Sequence, residues 1–256
     1  MATNNPTEVD RCLDLLVQAG SLLLESGAAT YRVEETITVL GAALGLPEVD
    51  VFATPTGFML QASGPSHALT RVRRVTHLGV NMNRLAAVSR LSHEVTGQVF
   101  TVEEIAARLE QIRTQQPAYP AWLVIGGVAL ACGAFSLLLG GGLRELAATS
   151  IGALAAMLVR VQLNRTRLLP LLITITAAFI ATAASWSGCQ ALACSAPDLA
   201  PVAAVLQLVP GVLLVTSVID LATGDILSGM TRGVYAVLMA VGIALGMLLF
   251  LGWRVR

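Results

Sequence analysis

The sequence predicts a membrane all-α bundle of five transmembrane helices preceded by a small cytoplasmic α+β domain. Three observations carry this expectation. Of 256 residues, 55% are hydrophobic and only 12% are charged, where soluble domains average about 25% charged. The charges are also unevenly spread: residues 1–117 hold nine Arg and twelve acidic residues, residues 118–256 seven Arg and four acidic ones. Finally, the second region falls into five apolar stretches of nearly membrane-spanning length. Two regions with different solvents follow, a cytoplasmic domain over 1–117 and a transmembrane domain over 118–256.

In the first region, Thr7 with Asp10 resembles a capping box, and Val9, Leu13, Leu16 and Leu23 recur at roughly helical spacing. Ser26-Gly27 stops this helix, because Gly accepts the left-handed conformation past a helix end. A second helix carries Val33, Ile37, Leu40 and Leu44 on one stripe and is closed by Gly45 and Pro47. The segments 49–53, 56–62 and 69–75 are short, β-branched or alternating. Thr54-Pro55 and Ser63-Gly64-Pro65-Ser66 separate them, so they read as two or three antiparallel strands. A third helix is expected over about 81–96. Thr101 and Glu104 form a full capping box that opens a fourth, with Ile105, Leu109 and Ile112 facing inward.

The five apolar stretches are 122–139, 146–163, 168–186, 201–219 and 234–251, each near the ~20 residues that cross about 30 Å of hydrocarbon. Only the second holds a charge, Arg160, close enough to its end to snorkel. A soluble core would need five consecutive helices without a polar face, which water does not tolerate. The short-loop Arg rule places Arg108, Arg113, Arg165, Arg167 and Arg232 on the cytoplasmic side, against the votes of Arg144, Arg254 and Arg256. The N-terminus has no basic and apolar leader, so the expected topology in the cell inner membrane is N-terminus in, C-terminus out. The loop 187–199 then faces outward, where Cys189 and Cys194 form either a disulfide or two free thiols.

Several function classes are excluded. The formal net charge is zero, which gives no sign of a nucleic-acid partner. All sixteen basic residues are Arg, so neither a Walker-A lysine nor a Schiff-base lysine exists. Four Cys and three His have no zinc spacing, and neither metal nor cofactor is expected. The pairs Ser66-His67 and Ser92-His93 cannot form a catalytic dyad, since adjacent side chains do not face each other, and no G-x-S-x-G elbow occurs. The chain is not expected to be an enzyme.

Candidate chemistry concentrates in the fourth span. Pro210 cannot donate to the carbonyl four residues back, and Gly211 adds flexibility. A break there serves either a transported solute or mere packing. Gln207, Thr216 and Ser217 bring further polar groups. Asp220 and Asp225, then Ser228, Gly229 and Arg232, have the chemistry to bind ions, relay protons or pair structurally. By composition alone they read as a solvated loop. Gly242 and Gly246 form a packing pair. Glu25, Arg32, Glu34 and Glu35, around the first helix junction, read as surface ion pairs.

The stretches LLLESGAATYRVEETI (22–37), TPTGFML (54–60) and PGVLLVTSVIDLATGDILSGMTRG (210–233) together resemble the threonine/serine exporter (ThrE) family. The length is similar to that of the larger, YjjP-like subunit of its two-component form. The resemblance implies export of small carboxylate-bearing metabolites, L-threonine and L-serine or a dicarboxylate such as succinate. It also implies a smaller multi-pass membrane partner, YjjB-like. It carries the family pattern onto Glu25, Gly27, Thr30, Arg32 and Glu34 early, Pro55 and Thr56 centrally, and Pro210, Gly211, Asp220, Asp225, Ser228, Gly229 and Arg232 late. The expected mechanism is an ion-driven secondary exporter. The broken span meets the solute carboxylate, Asp220 or Asp225 couples to protons, and Arg232 is the counter-charge. An odd span count leaves half a transporter, so an oligomer with a second subunit is expected. The alternative is a regulatory or scaffold membrane subunit that transports nothing.

Overall fold

The structure, a computed structural model, describes residues 6–46, 48–63, 68–76, 79–97 and 100–255. The chain forms two compact units: Met1–Gln116 with Val212–Val234, and Pro117–Gly211 with Tyr235–Arg256. In chain order the elements are α1 (Pro6–Glu25), α2 (Thr30–Ala43), β1 (Glu48–Thr54), β2 (Gly57–Ser63), β3 (Ala68–Arg74), α3 (Met82–Gly97) and α4 (Val102–Thr114). They continue with α5 (Ala121–Leu138), α6 (Leu143–Leu163), α7 (Pro170–Leu192), α8 (Leu199–Ala204), a 3₁₀ turn (Val205–Leu208), α9 (Gly211–Thr223) and α10 (Ile226–Val255).

In the first unit, Leu13, Leu16 and Leu23 of α1 and Val33, Ile37 and Leu40 of α2 are buried in one core, as their helical spacing requires. Gly27, at φ +87°, ends α1. Ala28 N–H donates to Leu23 O and Gly27 N–H to Leu24 O, both at 3.1 Å, the paired closure that a left-handed glycine makes possible. The sheet has three strands in the order β1-β2-β3, antiparallel throughout. Its register sets Ala53 opposite Phe58 and Val51 opposite Leu60, with Ala53, Phe58 and Leu60 buried. The capping box of α4 is present: Glu104 N–H donates to Thr101 Oγ1 at 3.3 Å and Thr101 N–H to Glu104 Oε2 at 2.8 Å. Helix α1 already begins at Pro6, ahead of the expected Thr7 cap. The Thr7 side chain, Pro47, the turn 64–66, His67 and Arg256 lie outside the described residues.

The chain from α5 onward is built for lipid. Among the described residues four helices (α5, α6, α7 and α10) are long and apolar enough to cross a membrane, with mean hydropathy from 1.5 to 2.6. A broken pair, Leu199–Leu208 with Gly211–Thr223, raises this to five when counted as one span. Large apolar side chains point outward, among them Trp122, Leu130, Leu138 and Leu158, while Ala148, Ala153, Ala156, Ala177, Ala178 and Ala181 fill the inside. Small residues let membrane helices approach closely. A Cβ on Gly152 would stand 2.7 Å from Ala181 O, and one on Gly246 would stand 2.4 Å from Ile175 O.

Two expected boundaries are corrected. Helix α7 runs on to Leu192 and ends at Ala193, whose φ is 51°. Cys189 is therefore a buried helical residue and not part of an outer loop, and Cys194 N–H donates to Cys189 O at 3.0 Å. Both thiols are free. Helix α10 starts at Ile226, taking Ser228, Gly229 and Arg232 out of the expected loop and into a 30-residue helix. The cause is Gly224, whose φ of +97° lets Asp225 N–H reach Asp220 O at 2.8 Å. The reversal between α9 and α10 is thereby compressed to a tight turn.

Candidate functional site

A buried polar cluster forms where the start of α2 meets the α9–α10 hairpin. That hairpin is held closely. A Cβ on Gly229 would come within 2.9 Å of Leu221 N, and Ser217 Oγ donates to Gly229 O at 2.6 Å. Ser228, beside it, is buried. This close packing sets Asp220 of α9 against Arg232 of α10, with Oδ2 and Nε 3.0 Å apart. None of the Asp220 side chain and 7% of that of Arg232 is exposed. The solvated loop that composition favoured is thus corrected for these two residues. A polar turn flanked by apolar helices hides an ion pair, because the helices continue through it.

The early motif completes the cluster. Thr30 N–H, in the first turn of α2, donates to Asp220 Oδ1 at 2.9 Å. The N-cap residue Ala29 has no side-chain acceptor, so the α9 carboxylate does the work of a cap, at the end of a helix where anions are favoured. Arg232 Nη2 donates to Ala28 O at 2.8 Å and Nη1 to Thr216 Oγ1 at 3.3 Å. Thr216 Oγ1 in turn donates to Val212 O at 2.8 Å. Ala28 O lies just past the left-handed Gly27 that ends α1. Three buried atoms remain without a hydrogen bond here: Thr30 Oγ1, Asp220 Oδ2 and Arg232 Nε. The last two form an ion pair, close but out of hydrogen-bond alignment.

Around this core the other expected residues are distributed unevenly. Glu34 is half-buried and accepts Ala53 N–H at 2.8 Å on Oε1, so for it the surface-pair reading is corrected. Burial pushes its carboxyl up; the Ala53 hydrogen bond opposes this, and the charges of Asp225 and Asp220 add to it. Asp225, in the α9–α10 turn, is pushed up by burial and then by the Asp220 charge. Arg32 does form a surface pair, 3.7 Å from Glu35. Glu25 contributes its backbone, accepting Gly79 N–H at 3.1 Å. Pro55 and Thr56 make the β1–β2 turn, where Thr56 O accepts Val75 N–H at 2.9 Å.

Within the second unit, the Gln207 amide of the 3₁₀ turn donates to Ala153 O of α6 at 2.7 Å, while its Oε1 is buried without a partner. At the break itself Val209 N–H donates to Leu206 O at 3.1 Å and Gly211 N–H to Val209 O at 2.8 Å. The carbonyl that Pro210 leaves unserved is thus taken by the residue before it. Sequence reasoning missed Glu145, whose carboxylate accepts Gly142 N–H at 2.8 Å and Ala196 N–H at 2.9 Å. A Gly three positions before a Glu at a helix start was the available signal. It also missed the Ala28 carbonyl, which no residue type could betray. Among the described residues no His, Cys, Asp and Glu group is arranged to hold a metal.

Comparison with known proteins adds the following. A family model described as "Putative threonine/serine exporter" matches residues 14–253. The chain is 31% identical over 253 residues to the "Probable succinate transporter subunit YjjP" of Escherichia coli K12, covering 98% of each chain. It is 30% identical over 244 residues to the protein of the same description from Klebsiella aerogenes, covering 94% of each. To the "Probable threonine/serine exporter" of Mycobacterium tuberculosis it is 27% identical over 245 residues, spanning 94% of this chain and 46% of that one. No solved structure matches.

Proposed function

Because this chain belongs to the threonine/serine exporter family, we propose that it is the larger subunit of a secondary transporter exporting small carboxylate-bearing metabolites. L-threonine, L-serine or a dicarboxylate such as succinate is the cargo, and the cell inner membrane is the site. A multi-pass membrane protein of a transport family is the firm starting point. The relatives described as succinate transporter subunits support a partner, which we take to be a smaller YjjB-like membrane protein. In this reading the chain crosses the membrane five times, with its N-terminal domain in the cytoplasm and its C-terminus outside.

One observation carries the proposal: the buried Asp220–Arg232 pair on otherwise apolar helices. Ionised groups in membrane segments are costly and mark solute or proton paths. Asp220 accepts the coupling proton, with Asp225 as the neighbouring relay, and Arg232 supplies the counter-charge. Gln207, Pro210, Gly211, Thr216 and Ser217 line the path, where a broken helix offers polar groups at membrane depth. An ion gradient drives export, since no nucleotide-binding lysine exists.

The test is efflux from proteoliposomes, with and without the smaller subunit, over hydroxy amino acids and dicarboxylates. Wild-type protein with its partner should export, while Asp220→Asn and Arg232→Gln should not. Undiminished efflux from both variants at normal protein levels removes the site assignment. No efflux of any cargo from the wild-type pair removes the transporter reading in favour of a regulatory subunit.

A further inference from the structure

We infer that Asp220 is a resident stand-in for the cargo's own carboxylate: Thr30 and Arg232 form a carboxylate cradle that the exported molecule enters when Asp220 leaves it. The inference rests on the transporter reading and places the carboxylate here, not at the Pro210 break, whose Val209 and Gly211 N–H groups are already spent on Leu206 O and Val209 O.

The donors are those a carboxylate requires. Thr30 N–H belongs to the first turn of a 14-residue helix, where backbone amides and the helix dipole favour an anion. Arg232 presents its Nε–H, a charge-assisted donor to a carboxylate, while its Nη1 and Nη2 are held by Thr216 Oγ1 and Ala28 O. Both already hold a carboxylate, that of Asp220, at 2.9 and 3.0 Å.

The fit is incomplete, and this is the second observation. Thr30 Oγ1 is fully buried with no partner, and the Asp220 Oδ2 and Arg232 Nε atoms stand together without hydrogen-bond alignment. Tethered by a short side chain to α9, Asp220 cannot serve all three at once. A free carboxylate has no such tether. It can turn to take Arg232 Nε–H and the Thr30 hydroxyl together, the two atoms left without a hydrogen bond.

Charge decides the order of events. Among the described residues, the charged groups that interact with Asp220 include Arg232 from α10, Glu34 from α2 and Asp225 from the α9–α10 turn. A second ionised carboxylate beside Asp220⁻ would place two anions against one guanidinium. Entry therefore requires Asp220 to leave, so that one carboxylate replaces another, and protonation of the neighbouring Glu34 and Asp225 carboxyls, both pushed up by burial, favours the incoming anion.

The experiment measures binding, not transport, with the full chain in detergent micelles. L-Serine and L-serinamide, which lacks the carboxylate, are titrated calorimetrically against wild type, Asp220→Ala and Asp220→Ala/Thr30→Val. Vacating the cradle should tighten L-serine binding by about tenfold or more, with no gain for L-serinamide, and Thr30→Val should cancel part of the gain. In wild type, lowering pH from 7.5 to 5.5 should strengthen L-serine binding and leave L-serinamide unchanged, a readout that survives if the variants fold poorly. Unchanged or weaker binding in Asp220→Ala overturns the cradle; if that variant does not fold, pH-independent wild-type binding overturns it. Either result alongside normal wild-type efflux removes the cradle alone; absent efflux removes the transporter reading beneath it.

Discussion

Arg232 stands 3.0 Å from Asp220 with almost none of either side chain exposed. Removing one partner of such a pair leaves an uncompensated buried charge, which costs about 3–5 kcal/mol. Asp220→Ala should therefore destabilise the protein by that order. Asp220→Ala/Arg232→Met, which removes both charges, should recover a large part of the loss. Denaturant unfolding of the detergent-solubilised chain measures the cycle, and additivity of the two single changes would show that the residues do not couple.

Gly246 and Gly126 offer a matched comparison inside apolar helices. A Cβ on Gly246 meets Ile175 O at 2.4 Å, whereas nothing lies within 4 Å of one on Gly126. Backbone cannot yield as a side-chain tip does. Gly246→Ala should lose about 1–3 kcal/mol through overpacking, and Gly126→Ala should be neutral or gain up to about 1 kcal/mol from helix propensity. Unfolding midpoints of the two variants decide it.

Glu145 ties the start of α6 to the turn after α7 through Gly142 N–H and Ala196 N–H. In Glu145→Ala both amides lose their acceptor. Hydrogen exchange should accelerate in peptides covering 142 and 196, with little change at Leu13 or Leu16 in the other compact unit. Unchanged exchange at Ala196 would mean that the carboxylate does not hold that turn.

The raised carboxyl of Glu34 fixes the sign of a pH effect. A folded pKa above the unfolded one means that the folded chain holds the proton more tightly. The stability from this group is fully present below the unfolded value and is lost as pH rises through the folded one. Glu34→Gln keeps an acceptor for Ala53 N–H but does not titrate. It should match wild type near pH 4 and be the more stable of the two near pH 8, by thermal melts.

What could be read from the sequence was what is local. Thr101 and Glu104 cap α4 three residues apart, and three short strands bounded by turn residues pair with near neighbours. The apolar spans follow from composition over a window. Asp220 could not be placed that way. Its amide partner is Thr30, 190 positions away, so residue type marked it as able to bind ions or pair structurally while composition assigned it to solvent, and the family resemblance added weight to the first. The start of α10 was obscured because Ser228, Gly229 and Arg232 are a loop's residue types, and the helix includes them only because the Gly224 turn reverses the chain ahead of them.

The first compact unit is discontinuous, its two pieces separated by residues 117–211. Ribosomal synthesis delivers α1 to α4 long before α9, so the N-terminal piece must wait, with its α2 terminus uncapped and Ala28 O unclaimed, while intervening spans are inserted. Two contacts of that piece, at Thr30 N–H and Ala28 O, therefore wait on the later helices. A fragment ending near residue 117 is consequently an unfinished body, and its chaperone dependence in cells should exceed that of the whole chain.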